Sequence, residues 1–194
     1  LWKKCELSKY NHPDFILPPE NSFILLIDQT FGDLSINYGG SDISTFQKMF
    51  DFAVEKWPDF KILIKIHPDV IKKRKKGCIN ENLYSKKNVK VVSEIGQINK
   101  LIESCKALCV VTSQVGFEGL IYGKEVHVFG RPFYSGLGLT IDHYLCKERK
   151  NIQNISLDQL VYSTLIKYQI FLDPRTKEIC EIEKIIDYIK KQRK

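Results

Sequence analysis

Five short apolar runs recur along the chain, separated by stretches whose apolar residues return at helical spacing, and this alternation limits the fold more than any other feature. The runs are FILLID (23–28), KILIKI (61–66), NVKVV (88–92), ALCVV (107–111) and EVHVF (125–129). A brief continuous apolar run bounded by turn formers is the pattern of a strand buried on both faces. Such strands, alternating with helices through short connections, pair in parallel. The fold class expected is α/β: a Rossmann-like parallel sheet with helices on both faces.

Between the first two runs, Ser41 or Asp42 can cap a helix whose apolar positions Phe46, Phe50, Val54 and Trp57 continue until Pro58 stops it. IGQINKLIESC (95–105) reads as an amphipathic helix and QVGFEGLIYG (114–123) as a helix ended by Gly123. The remainder reads as two helices, 157–171 and 178–188, separated by LDPRTKE and followed by a Lys/Arg-rich tail. The 194 residues, 43% of them hydrophobic, suffice for one well-buried core. A lead-in or linker segment, 1–20, therefore precedes a lobe over 21–150 and C-terminal helices over 151–194. Without an initiator methionine, the chain is expected to be part of something longer.

Thirty basic against 23 acidic residues leave a net charge of +7, which favours anionic partners without choosing among a nucleotide, a lipid surface, a nucleic acid or an acidic sugar. Cys5, Cys78, Cys105, Cys109, Cys146 and Cys180 form no C-x-x-C pair and are expected as reduced thiols of a cytoplasmic protein. No run is long enough to span a bilayer.

Ligands of open α/β sheets bind beyond the carboxyl ends of the strands, so the chemistry is sought where the runs stop. The second run stops at His67, and Pro68 behind it removes a donor and stiffens the turn. A ring so held can hydrogen-bond a phosphate oxygen, or it can merely cap its own loop. After the fourth run, Thr112 and Ser113 open a helix whose unpaired amides attract an anion, although Ser113 is equally suited to be a plain N-cap. Gly116 allows close approach to the first helical turn, and Glu118 can take a pair of ribose hydroxyls. After the first run, DQTFGDLSINYGG crowds Gln29, Asp33, Ser35 and Asn37 together without a G-x-G-x-x-G fingerprint, which excludes a nicotinamide enzyme. A carboxylate there suits a nucleophile or base, or an Asx turn satisfying its own backbone. Beyond the fifth run, GRPFYSGLGLTID offers Arg131, Phe133 and Tyr134 on a glycine- and proline-stiffened loop able to stack on a ring or bind a carboxylate.

In that order, QTFGDLS, KIHPD, TSQVGFEGLIYGKEVHVFGRPFYSGLGLT and FLDPRTKEICEIEKIID resemble the bacterial capsule polysaccharide synthesis proteins of the KpsC/LipA type, from about SKYNH almost to the C-terminus. Two motifs depart from the family pattern. Its Gly-Trp-Gly-Leu-Thr is Gly136-Leu137-Gly138-Leu139-Thr140 here, without the aromatic, and its Lys-Pro-His-Pro is Lys65-Ile66-His67-Pro68.

The resemblance implies one lobe of a two-lobed, GT-B-type glycosyltransferase that moves 3-deoxy-manno-octulosonic acid (Kdo) from CMP-Kdo, with retention, to a phosphatidylglycerol-type lipid-linked acceptor in capsule linker synthesis. It implies that His67 and Pro68 bind the CMP phosphate with Ser113, that Gln29, Thr112, Gly116 and Glu118 complete the nucleotide site, and that Asp33 is the nucleophile with His67 beside it in catalysis. Lys65, Arg131, Pro132, Phe133, Tyr134, Gly136 and Thr140 are then expected to bind substrate. The implied partners are the CMP-sugar donor, the lipid-linked acceptor and the N-terminal lobe of the same enzyme. The basic loop and the Lys/Arg-rich tail could touch an anionic membrane surface, so the location expected is cytoplasmic, either free or peripheral at the inner face of the inner membrane. No nucleic acid is expected. With no Asp-x-Asp and a single-phosphate leaving group, no metal and no cofactor are expected either. The isolated chain is expected to be inactive, because the acceptor-side groups lie elsewhere. A different class of function, a non-catalytic nucleotide- or nucleic-acid-binding module, rests on the net charge and the run KKRKK, with no nucleic-acid-binding motif to support it.

Overall fold

A computed structural model of the chain describes residues 3–7, 14, 16–19, 22–144, 149 and 155–192. Half of the lead-in segment, Cys146 and the last two residues of the tail lie outside the described residues. The elements follow as β1 (Phe23–Ile27), α1 (Leu34–Tyr38), α2 (Ile43–Lys56), β2 (Lys61–Lys65), α3 (Pro68–Ile71), β3 (Val89–Val92), α4 (Asn99–Ser104), β4 (Ala107–Val110), α5 (Val115–Ile121), β5 (Glu125–Val128), β6 (Ile141–Asp142), α6 (Leu157–Val161), β7 (Phe171–Leu172), β8 (Ile179–Cys180) and α7 (Ile182–Gln192). Strands β1 to β6 form one sheet in the order β3-β2-β1-β4-β5-β6, with every pairing parallel. This is the doubly wound order, with its topological switch between β1 and β4.

Alternation along the strands divides the core into two layers. Ile24, Leu26, Ile62 and Ile64 face a cluster completed by Phe46, Met49, Phe50 and Ala53 of α2. Leu25, Ile27, Leu63 and Leu108 face the other, completed by Leu101 and Ile102 of α4, Phe117 and Leu120 of α5, and Leu160 of α6. Asp42, not Ser41, caps α2: its carboxylate accepts from Thr45 N at 3.1 Å while Thr45 Oγ1 accepts from Asp42 N at 3.2 Å. Val54, expected on the buried face, is 39% exposed.

Three segments differ from the sequence expectation. The helix expected over 95–105 begins only at Asn99, because the backbone at Gln97 pairs instead with the lead-in segment, donating to Asp14 O at 2.8 Å and accepting from Ile16 N at 2.9 Å. Phe171 does not extend a helix but enters the two-stranded antiparallel hairpin β7–β8, whose turn closes on Asp173. That carboxylate takes the Arg175 N, Nε and Nη2 donors at 2.9, 3.1 and 2.9 Å. The final helix accordingly starts at Ile182 and not at residue 178. None of Cys5, Cys78, Cys105, Cys109 and Cys180 forms a disulfide.

Candidate functional site

A cleft of about 290 Å³ opens at the carboxyl ends of β1, β2 and β4. Its position follows from the strand order. Chain leaving β1 turns to one side and chain leaving β4 to the other, so their loops diverge and leave a crevice between them. Gln29, Asp33 and Ser35 reach it from β1, Lys65, His67 and Pro68 from β2, and Thr112, Ser113 and Glu118 from β4 and α5.

Gln29 fastens two of these walls. Its Oε1 accepts from Thr112 N at 3.0 Å, and its Nε2 donates to Thr112 Oγ1 at 3.0 Å and to Ser35 Oγ and Asp33 Oδ2 at 3.3 Å. Ser35 Oγ and Thr112 Oγ1 lie a further 3.0 Å apart in hydrogen-bond contact. The Gln29 amide, expected to face the nucleotide, is thus engaged largely within the protein and sets the shape of the cleft. Asp33 makes the turn weighed for it, its Oδ1 accepting from Ser35 N at 2.9 Å to cap α1, and the residue also lines the cleft.

His67 likewise caps a helix, with Pro68 at its first position, and its Nδ1 accepts from Asp69 N at 3.1 Å. A neutral ring accepting at Nδ1 carries its proton on Nε2, which makes that nitrogen a donor. Lys65 is buried beside it and donates to Ile66 O at 2.7 Å. Burial draws its ammonium down to about 8, against the opposing charge of Glu94, so it stays mostly protonated at neutral pH. Ser113 Oγ accepts from Val115 N at 3.3 Å, and its carbonyl accepts from Tyr134 Oη. Glu118, 1% exposed, contributes to the cleft from the first turn of α5.

Two expectations are corrected by packing. Tyr134 is completely buried, so its ring cannot stack on a substrate. Gly116 faces that ring: a Cβ there would overlap the Tyr134 hydroxyl, so the glycine admits a tyrosine and not a ligand. The rest of the loop after β5 also lies outside the cleft lining. Arg131 donates its N–H to Gly39 O and lays its guanidinium 5.1 Å from the Tyr144 ring centre. Pro132 is buried, Phe133 packs 5.1 Å from Phe117, and Gly136 N and Thr140 Oγ1 both donate to the Asp142 carboxylate.

Among the cleft residues not singled out in the sequence, Asp28 carries a charge. Asp28, 1% exposed, accepts from Gln29 N, Cys78 N and Ile79 N at 2.9 Å each through Oδ1 alone, while its buried Oδ2 has no hydrogen-bond partner among the described residues. Gly77 is required there because the carboxylate occupies the place of a Cβ. Burial outweighs the three donors and raises the carboxyl to about 6. The only signal in the sequence is an acidic residue ending an apolar run. Burial also pushes the neighbouring Cys78 thiol up to about 12, so it offers no competing nucleophile. Among the described residues, no group of three or more His, Cys, Asp or Glu side chains is arranged to hold a metal ion.

Comparison with known proteins gives these residues a context. The family of capsule polysaccharide biosynthesis proteins matches residues 2–171. The capsule polysaccharide modification protein LipA of Neisseria meningitidis serogroup A is 35% identical, over 94% of this chain and 27% of LipA. The lipopolysaccharide-processing protein LpsZ of Rhizobium meliloti is 31% identical, over 93% of this chain and 41% of LpsZ. Among solved structures, the beta Kdo 2,4 transferase of Thermosulfurimonas dismutans KpsC superposes with a TM-score of 0.88 at 36% identity, covering 97% of this chain and 59% of that one. The beta Kdo 2,7 transferase of the same KpsC gives 0.72 at 27% identity, over 91% of this chain and 55% of that one. The chain therefore spans only part of each relative.

Proposed function

The chain belongs to the capsule polysaccharide biosynthesis protein family, and from that premise we propose that it is the donor-binding lobe of a GT-B-type glycosyltransferase that moves Kdo from CMP-Kdo, with retention, to a lipid-linked acceptor. The observation that carries this reading is the meeting of His67, Ser113 and Asp33, from three separate strand ends, around one cleft.

The chemistry follows from the placement of these groups. As the bond between the anomeric carbon and the phosphate oxygen breaks, negative charge grows on the departing CMP. The His67 Nε2–H donates to that phosphate, Ser113 adds a hydroxyl, and the buried Lys65 ammonium supplies a fixed positive charge. Asp33, oriented by Ser35 N and Gln29 Nε2, attacks the anomeric carbon with a carboxylate oxygen to give a covalent Kdo–enzyme ester. The acceptor hydroxyl then displaces the carboxylate and loses its proton, and two inversions amount to retention. The leaving group carries one phosphate, so this scheme needs no metal clamp. Acceptor groups come from the N-terminal lobe.

Titration calorimetry tests the site. CMP binds the wild-type chain saturably, His67→Ala weakens it by roughly 10-fold or more, and Asp33→Asn leaves it within a few-fold. In the complete enzyme, Asp33→Asn abolishes transfer from CMP-Kdo. Transfer retained by that variant, or CMP affinity indifferent to His67→Ala, would remove the assignment.

A further inference from the structure

A tyrosine shut away from solvent needs a partner for its hydroxyl, and the partner chosen tells what the residue does. Tyr134 lies in the loop after β5 and is completely buried. Its Oη donates to the carbonyl of Ser113, a residue of the cleft wall between β4 and α5. Burial raises the phenol far above its usual range, so the hydroxyl keeps its proton and remains a donor. The ring reaches that carbonyl only because Gly116 leaves the space of a Cβ empty, and Phe133 holds it edge-on at 5.1 Å. A phenylalanine would fill the same space, so packing alone does not account for the hydroxyl.

The loop that carries Tyr134 is itself stiff and grips both sides of the cleft. Arg149 Nη1 donates to the carbonyls of Pro132, Phe133 and Ser135 at 2.9, 3.1 and 2.7 Å, and Ser135 Oγ donates to Pro132 O at 3.0 Å. At its near end Arg131 N donates to Gly39 O at 2.9 Å, and Gly39 closes α1, the helix that Asp33 caps. One loop therefore ties the helix of the proposed nucleophile to the turn of the phosphate serine. The Ser113 turn has little else to steady it: Val115 N donates to Ser113 Oγ at 3.3 Å and Gly116 N to Ser113 O at 3.1 Å. Without the Tyr134 hydroxyl the carbonyl keeps the Gly116 amide, so the turn survives but is held less firmly.

We propose that Tyr134 is a positioning residue, whose hydroxyl fixes the Ser113 backbone so that the serine hydroxyl meets the donor phosphate in the cleft, without Tyr134 touching the ligand. The inference deepens the transferase reading, on which it relies for the phosphate. A fixed carbonyl sets the direction in which the Ser113 side chain projects, and a hydrogen bond to an anion weakens steeply once misaligned. Cytidine lacks the phosphate, so NMR titration of the chain with CMP and with cytidine isolates the effect. Tyr134→Phe weakens CMP by roughly 5-fold, leaves cytidine unchanged and shifts the phosphorus resonance of bound CMP. In a Ser113→Ala background the same substitution adds no further loss, because its action passes through the serine. Tyr122→Phe serves as the control: it removes another buried phenol, bonded to Asn99 at the far end of α5, and weakens neither ligand.

Equal losses of CMP and cytidine in Tyr134→Phe would reduce the tyrosine to a packing role and overturn the proposal. So would an undiminished loss in the Ser113→Ala background, which would show that it does not act through the serine. CMP affinity that falls with His67→Ala but ignores Tyr134→Phe would remove this inference and leave the transferase reading standing. A wild-type chain that binds CMP no better than cytidine would remove the phosphate site, and both readings with it.

Discussion

Asp28 carries the clearest conflict between burial and hydrogen bonding in the molecule. Three backbone donors favour its ionised form, yet desolvation prevails and raises it from 3.8 to about 6. The folded state therefore holds this proton more tightly than the unfolded chain does. The group's contribution to stability is full below about pH 4 and is lost as pH rises through about 6, a change on the order of 3 kcal/mol. Asp28→Asn cannot ionise, so urea denaturation of the variant should lack this component of the decline between pH 4 and pH 8. An unchanged pH slope would mean that Asp28 does not titrate as its burial implies. The same residue illustrates a limit of sequence reading. That an aspartate ends the first strand is visible at once, but that it meets Cys78 and Ile79, some fifty residues on, is not.

Among elements, β6 is the shortest strand of the main sheet and lies at its edge, where a two-residue ladder offers little stability by itself. A pair of histidines, His127 buried and His143 exposed, reinforces it. His127 Nδ1 of β5 and His143 Nε2, one residue beyond β6, lie 2.9 Å apart, with Glu125 Oε1 2.7 Å from His127 Nε2. The His143 ring stacks on Phe129 at 4.2 Å. Burial lowers both histidines below the usual 6.5, with Lys56 adding repulsion of further positive charge. The stability of the neutral pair is present above pH 6.5 and is lost as pH falls below it. Hydrogen-exchange protection of residues 141–143 should drop several-fold from pH 7.5 to pH 5.5, and His143→Gln should flatten that dependence. Protection that holds steady at pH 5.5 in the wild type would rule out the pair as a pH-sensitive fastening.

At the scale of the whole molecule, the sheet supplies one wall of the candidate cleft. The related KpsC transferase chain is longer, and this one covers 59% of it. The chain alone is accordingly expected to bind CMP and to release no Kdo product when CMP-Kdo and acceptor are supplied. Mass spectrometry of the acceptor checks this, and product formed by the isolated chain would show that no second lobe is needed. The C-terminal elements belong to the same body, since Leu160 enters the core and Leu157, Val161 and Leu165 pack against it.

Five strands, their parallel pairing and the places where they end followed from the sequence because a strand buried on both faces leaves a continuous apolar run, a signal local to a few residues. His67, Asp33 and Ser113 were legible for the same reason: each terminates or follows such a run. The helix shortened by Gln97, the β7–β8 hairpin, the inward turn of Tyr134 and the grip of Asp28 were not. Each depends on partners distant in sequence, and a side chain's propensity carries no record of which distant backbone will reach it. The sequence by itself determined which groups stand at the strand ends. Only the tertiary structure decided which of them face a common cleft, because that depends on strand order, and the switch between β1 and β4 is a property of the assembled sheet.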